Sequence, residues 1–141
     1  MPKKFIAPTQ EAGAELFSRQ IDGEVIMLNL LKFKDIADYS EHPELDDGKR
    51  ITGREAYKRY IEQTLPLLKE KGGEIMFMGE GGNYLIGPAN EAWDLVLLIK
   101  QKSLANLMAM VNDKKYRSIL GHRDAALEDS RLLPLIENVA I

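Results

Sequence analysis

Val25-Ile26-Met27-Leu28-Asn29-Leu30-Leu31-Lys32-Phe33-Lys34 is apolar at nearly every position. Side chains alternate across a β-strand. One face of this stretch therefore carries Val25, Met27, Leu31 and Phe33, interrupted by Asn29, and the other carries Ile26, Leu28 and Leu30 before turning polar at Lys32 and Lys34. A strand that is apolar on both faces needs a cover on both. Trp93-Asp94-Leu95-Val96-Leu97-Leu98-Ile99-Lys100 repeats the pattern.

Helical and strand signals fill the space around these two stretches. Thr9 can cap a short helix carrying Ala12, Leu16 and Phe17, closed by Asp22-Gly23. Thr52-Gly53-Arg54-Glu55 is a capping box opening a helix to about Lys71, with Ala56, Tyr57, Tyr60, Ile61, Leu65 and Leu68 on its apolar side. Pro66 inside that run predicts a kink or break near Thr64. Gly72-Gly73 stops the helix. A strand starts at Glu74-Ile75-Met76-Phe77-Met78. Gly79, Gly81 and Gly82 predict a bulge or close backbone approach before Tyr84-Leu85-Ile86 continues it. Ser103 caps a helix with Leu104, Leu107, Met108 and Val111. Asn112-Asp113 interrupts, and a further helix carries Tyr116, Ile119, Leu120, Ala126 and Leu127. The last strand runs from Ser130 to Ile136, with Pro134 fitting a sheet edge or strand end.

Without the first helix, the order is strand, helix, strand, strand, helix, strand. This is the ferredoxin-like split βαβ arrangement, an α+β fold with a four-stranded antiparallel sheet and helices on one face. The other face would leave side chains such as Met27, Leu31, Phe33, Leu95 and Leu97 wet, forfeiting on the order of 10 kcal/mol, comparable with a whole domain's stability. A second copy packed sheet to sheet removes that cost, so a homodimer enclosing an apolar space is expected. The expected organisation is an N-terminal arm and helix over residues 1–23 and the sheet domain over 24–141.

The 141 residues hold 22 acidic and 19 basic side chains and no cysteine. Disulfides, thiolate metal sites and a cysteine nucleophile are thereby excluded. A formal net charge of -3 provides no basic footprint for nucleic acid and no polybasic membrane patch. No window reaches the ~20 apolar residues of a membrane span, and the apolar run at the start is too short for a signal peptide. Cytoplasmic location follows as the expectation. Residues 35–50, rich in Asp and Glu, read as a solvated surface loop whose spacing does not fit an EF-hand. The glycines at 79–82 lack the Lys-Ser/Thr of a phosphate loop.

Candidate site residues are few. Asn29 is an amide amid apolar neighbours and must be hydrogen-bonded if buried, either to a ligand or oxyanion or to its own chain. Tyr57 and Tyr60 share a helix face and could offer hydroxyls to an aromatic substrate or pack in the core. Trp93 could stack on a planar ligand or fill a core or interface. His122 could move a proton or stand exposed at a helix end. His42 lies far away in sequence, and two distant histidines do not supply a zinc or haem site. Arg123 could pair with Asp129 and position Arg131 for an anion such as a carboxylate, or the pair could simply tie helix to strand.

Asn29-Leu30-Leu31-Lys32-Phe33-Lys34, Ala56-Tyr57 with Tyr60, Trp93-Asp94, Asp113-Lys114-Lys115-Tyr116 and the closing run from Arg123 to Leu132 resemble one known family. It is the domain-of-unknown-function 1330 family of the dimeric α+β barrel superfamily, and the likeness spans about residues 24–136. The resemblance implies a cleft between sheet and helices in each subunit. Relatives in the superfamily include cofactor-free monooxygenases, haem-degrading enzymes, muconolactone isomerases and haem peroxidases, but activity does not follow from fold. The expectation is a homodimer that binds a small apolar or aromatic molecule without a cofactor. Any chemistry would be that of a cofactor-independent monooxygenase or isomerase, with Asn29, His122 and Arg123 acting and Tyr57, Tyr60, Trp93 and Arg131 shaping the site. The alternative is a non-catalytic ligand-binding or structural dimer module.

Overall fold

A computed structural model describes residues 4–138 and 140. The chain runs α1 (Gln10–Ser18), β1 (Val25–Phe33), a 3-10 turn (Pro43–Leu45), α2 (Gly53–Glu70), β2 (Glu74–Glu80), β3 (Leu95–Gln101), α3 (Leu104–Val111), α4 (Lys114–Ala126) and β4 (Leu127–Leu135). The strands form one sheet in the order β2-β3-β1-β4, with antiparallel neighbours throughout. This is the ferredoxin-like arrangement, with α1 as an addition. No helix of the described residues is long and apolar enough to cross a membrane.

The helix starts follow their caps. Thr52 Oγ1 accepts from the Glu55 amide at 3.0 Å and the Thr52 amide donates back to Glu55 Oε1 at 3.2 Å. At the starts of α3 and α4 the Ser103 and Asp113 side chains accept from the Asn106 and Lys115 amides, without the return bond. Gly72 at φ 82° ends α2 in the left-handed region that glycine takes without strain. Of the kink or break expected near Thr64, the break does not occur: α2 is continuous through Pro66. Pro66 and Glu62, whose carbonyl loses its donor, both lie on the exposed side, where water can take the freed carbonyl. The opposite side is anchored by buried Tyr60, Thr64, Leu67 and Leu68.

The inner face of the sheet carries Val25, Met27, Asn29, Leu31, Leu95 and Leu97, all buried. The core joins Leu31, Leu95 and Leu97 to Ala56, Tyr57, Tyr60 and Leu68 of α2 and to Tyr116, Ile119, Ala125 and Ala126 of α4. A smaller cluster of Val25, Met27 and Leu104 takes in Leu16 of α1. Met27, Leu31, Phe33, Leu95 and Leu97, expected to be left wet, thus lie on the helix-covered side. The uncovered side is the other one. Ile26, Leu28 and Leu30 pair with Leu135, Leu133 and Arg131 of β4, Leu28 and Leu30 pair with Leu98 and Val96 of β3, and Leu98 in turn pairs with Phe77. Two apolar faces of one strand look alike in sequence; only the helices decide which is inside.

Three further expectations change. The bulge in β2 falls at Met76, while of the glycines Gly81 marks the close backbone approach, since a Cβ there would lie 2.4 Å from Trp93 O. Tyr84-Leu85-Ile86 does not extend the strand but belongs to a loop, closed by a single bridge between Asn83 and Ala92. Residues 35–50 are more than a surface loop, because Tyr39 is buried and the Asp38 amide donates to Ala125 O of α4 at 2.9 Å. The acids around Tyr39 masked its anchoring role. Elsewhere β4 begins at Leu127, earlier than expected, α1 ends at Ser18, short of Asp22-Gly23, and Pro134 does lie on an edge strand.

Candidate functional site

The end of α4 gathers most of the polar chemistry. His122 is buried, and the Tyr39 hydroxyl lies 2.8 Å from its Nδ1, a hydrogen bond whose donor is set by the imidazole tautomer. Arg59 and Asp47, joined at 3.0 Å, bear electrostatically on both. His42 Nε2 sits 3.0 Å from Asp124 Oδ2. Its ring lies against Gly121, where a Cβ would come within 2.7 Å of the imidazole Cγ. The loop therefore brings His42, remote in sequence, onto the same helical turn as His122, which is not an exposed helix-end residue. Among the described residues no group of three or more His, Asp or Glu is placed to hold a metal ion.

Burial is the main cause that holds the His122 pKa below its ordinary value of 6.5, with the Arg59 cation adding to it. Below about pH 6.5 the unfolded chain then binds a proton that the native state refuses. This contribution to stability is full above pH 6.5 and is lost as pH falls from there toward the depressed native value. His122→Asn, which keeps a hydrogen-bond partner for Tyr39, is expected to flatten the fall in stability as pH drops below about 6.5. Parallel urea titrations of the two proteins check this; equal slopes would show that the imidazole takes its proton in place.

A series of rings crosses the core. Phe33 and Tyr57 lie 5.5 Å apart, Tyr57 and Tyr60 5.3 Å, and Tyr60 and Tyr116 6.1 Å between centroids. The Tyr60 and Tyr116 hydroxyls meet at 2.7 Å. Burial pushes the Tyr57 and Tyr60 hydroxyl pKa values up, so both stay neutral. The series reaches the surface at Phe33, in an open cleft of about 300 Å³ lined by Phe33, Lys34, Asp35, Thr52, Arg54 and Asp94. The Arg54 guanidinium stands 5.0 Å over the Phe33 ring and 3.2 Å from both carboxylate oxygens of Glu80. Asp94 accepts from the Phe33 amide at 2.8 Å.

A third group surrounds the start of β3. Trp93 is buried and its Nε1 donates to the Tyr84 hydroxyl at 2.6 Å. The Arg131 guanidinium lies 5.0 Å from the Trp93 ring and 4.8 Å from Phe5. It pairs with Asp129 at 2.7 Å and with Glu91 at 3.5 Å. The expected Arg123–Asp129 pair is not formed. Arg123 instead donates to Ile6 O at 2.6 Å, because the N-terminal arm passes between them: the Phe5 amide donates to Asp129 and Ser130 Oγ donates to Phe5 O.

A family model described as Domain of unknown function (DUF1330) matches residues 48–138. The chain belongs to this family. It is similar to a Rhodopseudomonas palustris protein of unknown function, RPA0582. One crystal structure of that protein, in methylated form, is 36% identical over 96% of each chain with a TM-score of 0.85. A second is 34% identical, covering 94% of this chain and 96% of that one, with a TM-score of 0.83. A dimeric ferredoxin-like protein of unknown function from Thermobifida fusca is 13% identical over 81% of this chain and 91% of its own, with a TM-score of 0.47. No curated protein matches.

In this DUF1330 chain the seven candidate residues do not converge on one place. His122 and Arg123 follow one another on α4 but face different partners. Tyr57 and Tyr60 belong to the core, and Trp93 and Arg131 to the start of β3. Asn29 stands apart, buried opposite Leu97 and Leu132, with its Nδ2 donating to Met27 O at 3.2 Å. Tyr39, Arg59, Asp124, Phe33 and Arg54 were not singled out. Tyr39 carried a signal, being the one aromatic residue in the acidic segment; the others look like ordinary surface or strand residues until the chain is folded.

Proposed function

We propose that the protein acts as a homodimer, sheet face to sheet face, in which each protomer holds a small apolar or aromatic molecule at the Phe33 cleft. The observation that carries the reading is the uncovered sheet face: Ile26, Leu28, Leu30, Phe77, Val96, Leu98, Leu133 and Leu135, with Phe77 53% and Leu133 55% exposed. Burying what remains open of these side chains is worth on the order of 10 kcal/mol per protomer, against about 4–15 kcal/mol lost on association. For a planar anionic ligand, Arg54 would swing from its place over the Phe33 ring and from Glu80 to meet the anionic substituent, and Lys34 would turn from Asp38, leaving the ring to the ligand. Binding is favoured over turnover, because Asn29, His122 and Arg123 each spend polar atoms on their own chain. The oxygenation or isomerisation seen elsewhere in the superfamily would need those groups turned toward one substrate.

Native mass spectrometry of freshly purified protein tests both halves. A dimer carrying a small mass that leaves on denaturation is expected, and Leu28→Glu is expected to give monomer. A wild-type monomer would remove the dimer. A bare dimer that binds neither benzoate nor naphthoate in titrations would remove the ligand.

A further inference from the structure

Leu85 and Ile86 stand at the tip of loop 81–94 between β2 and β3, 100% and 92% exposed. Among the described residues no other large apolar side chain exceeds 55%. The tip is nevertheless braced. Trp93 N donates to Gly82 O at 3.1 Å and Gly81 N to Asp94 O at 3.1 Å, closing the root of the loop. The Tyr84 hydroxyl, next to the tip, bonds Glu91 at 2.5 Å and receives the Trp93 indole at 2.6 Å. The Tyr84 ring lies against Gly87, where a Cβ would meet it at 2.5 Å. A loop cross-linked in this way loses little further freedom when its tip is buried, which is how a preorganised contact gains affinity.

The position of the root identifies the occupant. Glu91 and Trp93 both touch Arg131, and Arg131 is the partner of Leu30 on the uncovered side of the sheet. The root of the loop thus borders the same apolar face. At ~25 cal/mol per Å², the burial free energy left open on that face corresponds to about 400 Å² of accessible apolar surface. A stable interface takes about 800 Å² from each partner. The sheet face alone falls short, and the loop that borders it carries an exposed apolar tip.

We infer that the Leu85–Ile86 tip of each protomer docks on the second copy, carrying the interface beyond the end of the sheet. The inference rests on the homodimer reading. It is tested by sedimentation velocity across a concentration series, comparing wild type, the double variant Leu85→Glu with Ile86→Glu, and Leu28→Glu. The double variant is expected to raise the dimer dissociation constant at least ~100-fold with an unchanged far-UV spectrum, while Leu85→Met with Ile86→Val keeps the wild-type value. If the charged tip leaves dissociation within about threefold of wild type while Leu28→Glu is monomeric, the homodimer stands and the tip contact is overturned. The tip contact is also overturned if the charged variant stays dimeric but loses binding to phosphatidylcholine vesicles, since a lipid surface would then be its partner. A wild-type monomer overturns both.

Discussion

Gly53→Ala is expected to cost the protein about 3–5 kcal/mol of unfolding free energy. A Cβ at this position would lie 2.2 Å from Lys34 O, 2.6 Å from Ala126 O and 2.8 Å from Lys34 N. All three obstacles are backbone, so no rotamer change can clear them. The same atoms form the hydrogen bonds of the junction: Gly53 N donates to Lys34 O at 3.1 Å and Lys34 N donates to Ala126 O at 2.8 Å. An added methyl group must push apart the end of β1, the start of α2 and the end of α4, and those bonds go with it. Overpacking alone costs about 1–3 kcal/mol, and each buried backbone group left unpaired about 1–3 kcal/mol more. Against a domain stability of about 5–15 kcal/mol the loss is severe. Urea unfolding followed by circular dichroism measures it; a change below about 1 kcal/mol would show that the three segments yield without breaking contact.

Trp93→Ala is expected to cost about 3–5 kcal/mol and to release the β2–β3 loop. The indole is 3% exposed. Its ring supports the Arg131 guanidinium and its Nε1 holds Tyr84, so truncation opens a cavity and frees the loop root together. Trp93→Phe separates the two effects. It keeps most of the ring and drops the donor, and should cost about 1–2 kcal/mol. Limited proteolysis reads the loop directly: cleavage within residues 81–94 should appear in Trp93→Ala well before global unfolding. If that variant resists cleavage and stays within about 1 kcal/mol of wild type, the loop is held by contacts other than Trp93.

The fold was legible because each of its signals is local. Thr52 with Glu55, Ser103, Asp113 and Gly72 mark helix ends by bonds that span only a few residues. The alternation in β1 and β3 marks two central strands without any knowledge of their partners. Choosing between the faces of β1 was not local, since it depends on where Tyr57, Tyr60 and Tyr116 pack. The candidate site was less legible for the same reason. Asn29, Trp93 and His122 were noticed for their chemistry, yet what each does is set by partners distant in sequence: Tyr39 for His122, Tyr84 and Arg131 for Trp93. The Arg123–Asp129 pair failed on a segment that no pairwise reading of α4 and β4 contains, the arm at Phe5 and Ile6.

The strand order has a consequence for how the protein is made. β1 lies between β3 and β4, and both follow it in the chain. Once β1 has been synthesised, roughly 60 further residues follow before β3 begins, about 3–12 s at ordinary elongation rates. For that interval a nascent segment with two apolar faces has neither neighbour to pair with, and its last partner is the final strand. The strand at the centre of the finished sheet is therefore the one most in need of a chaperone while the polypeptide is growing.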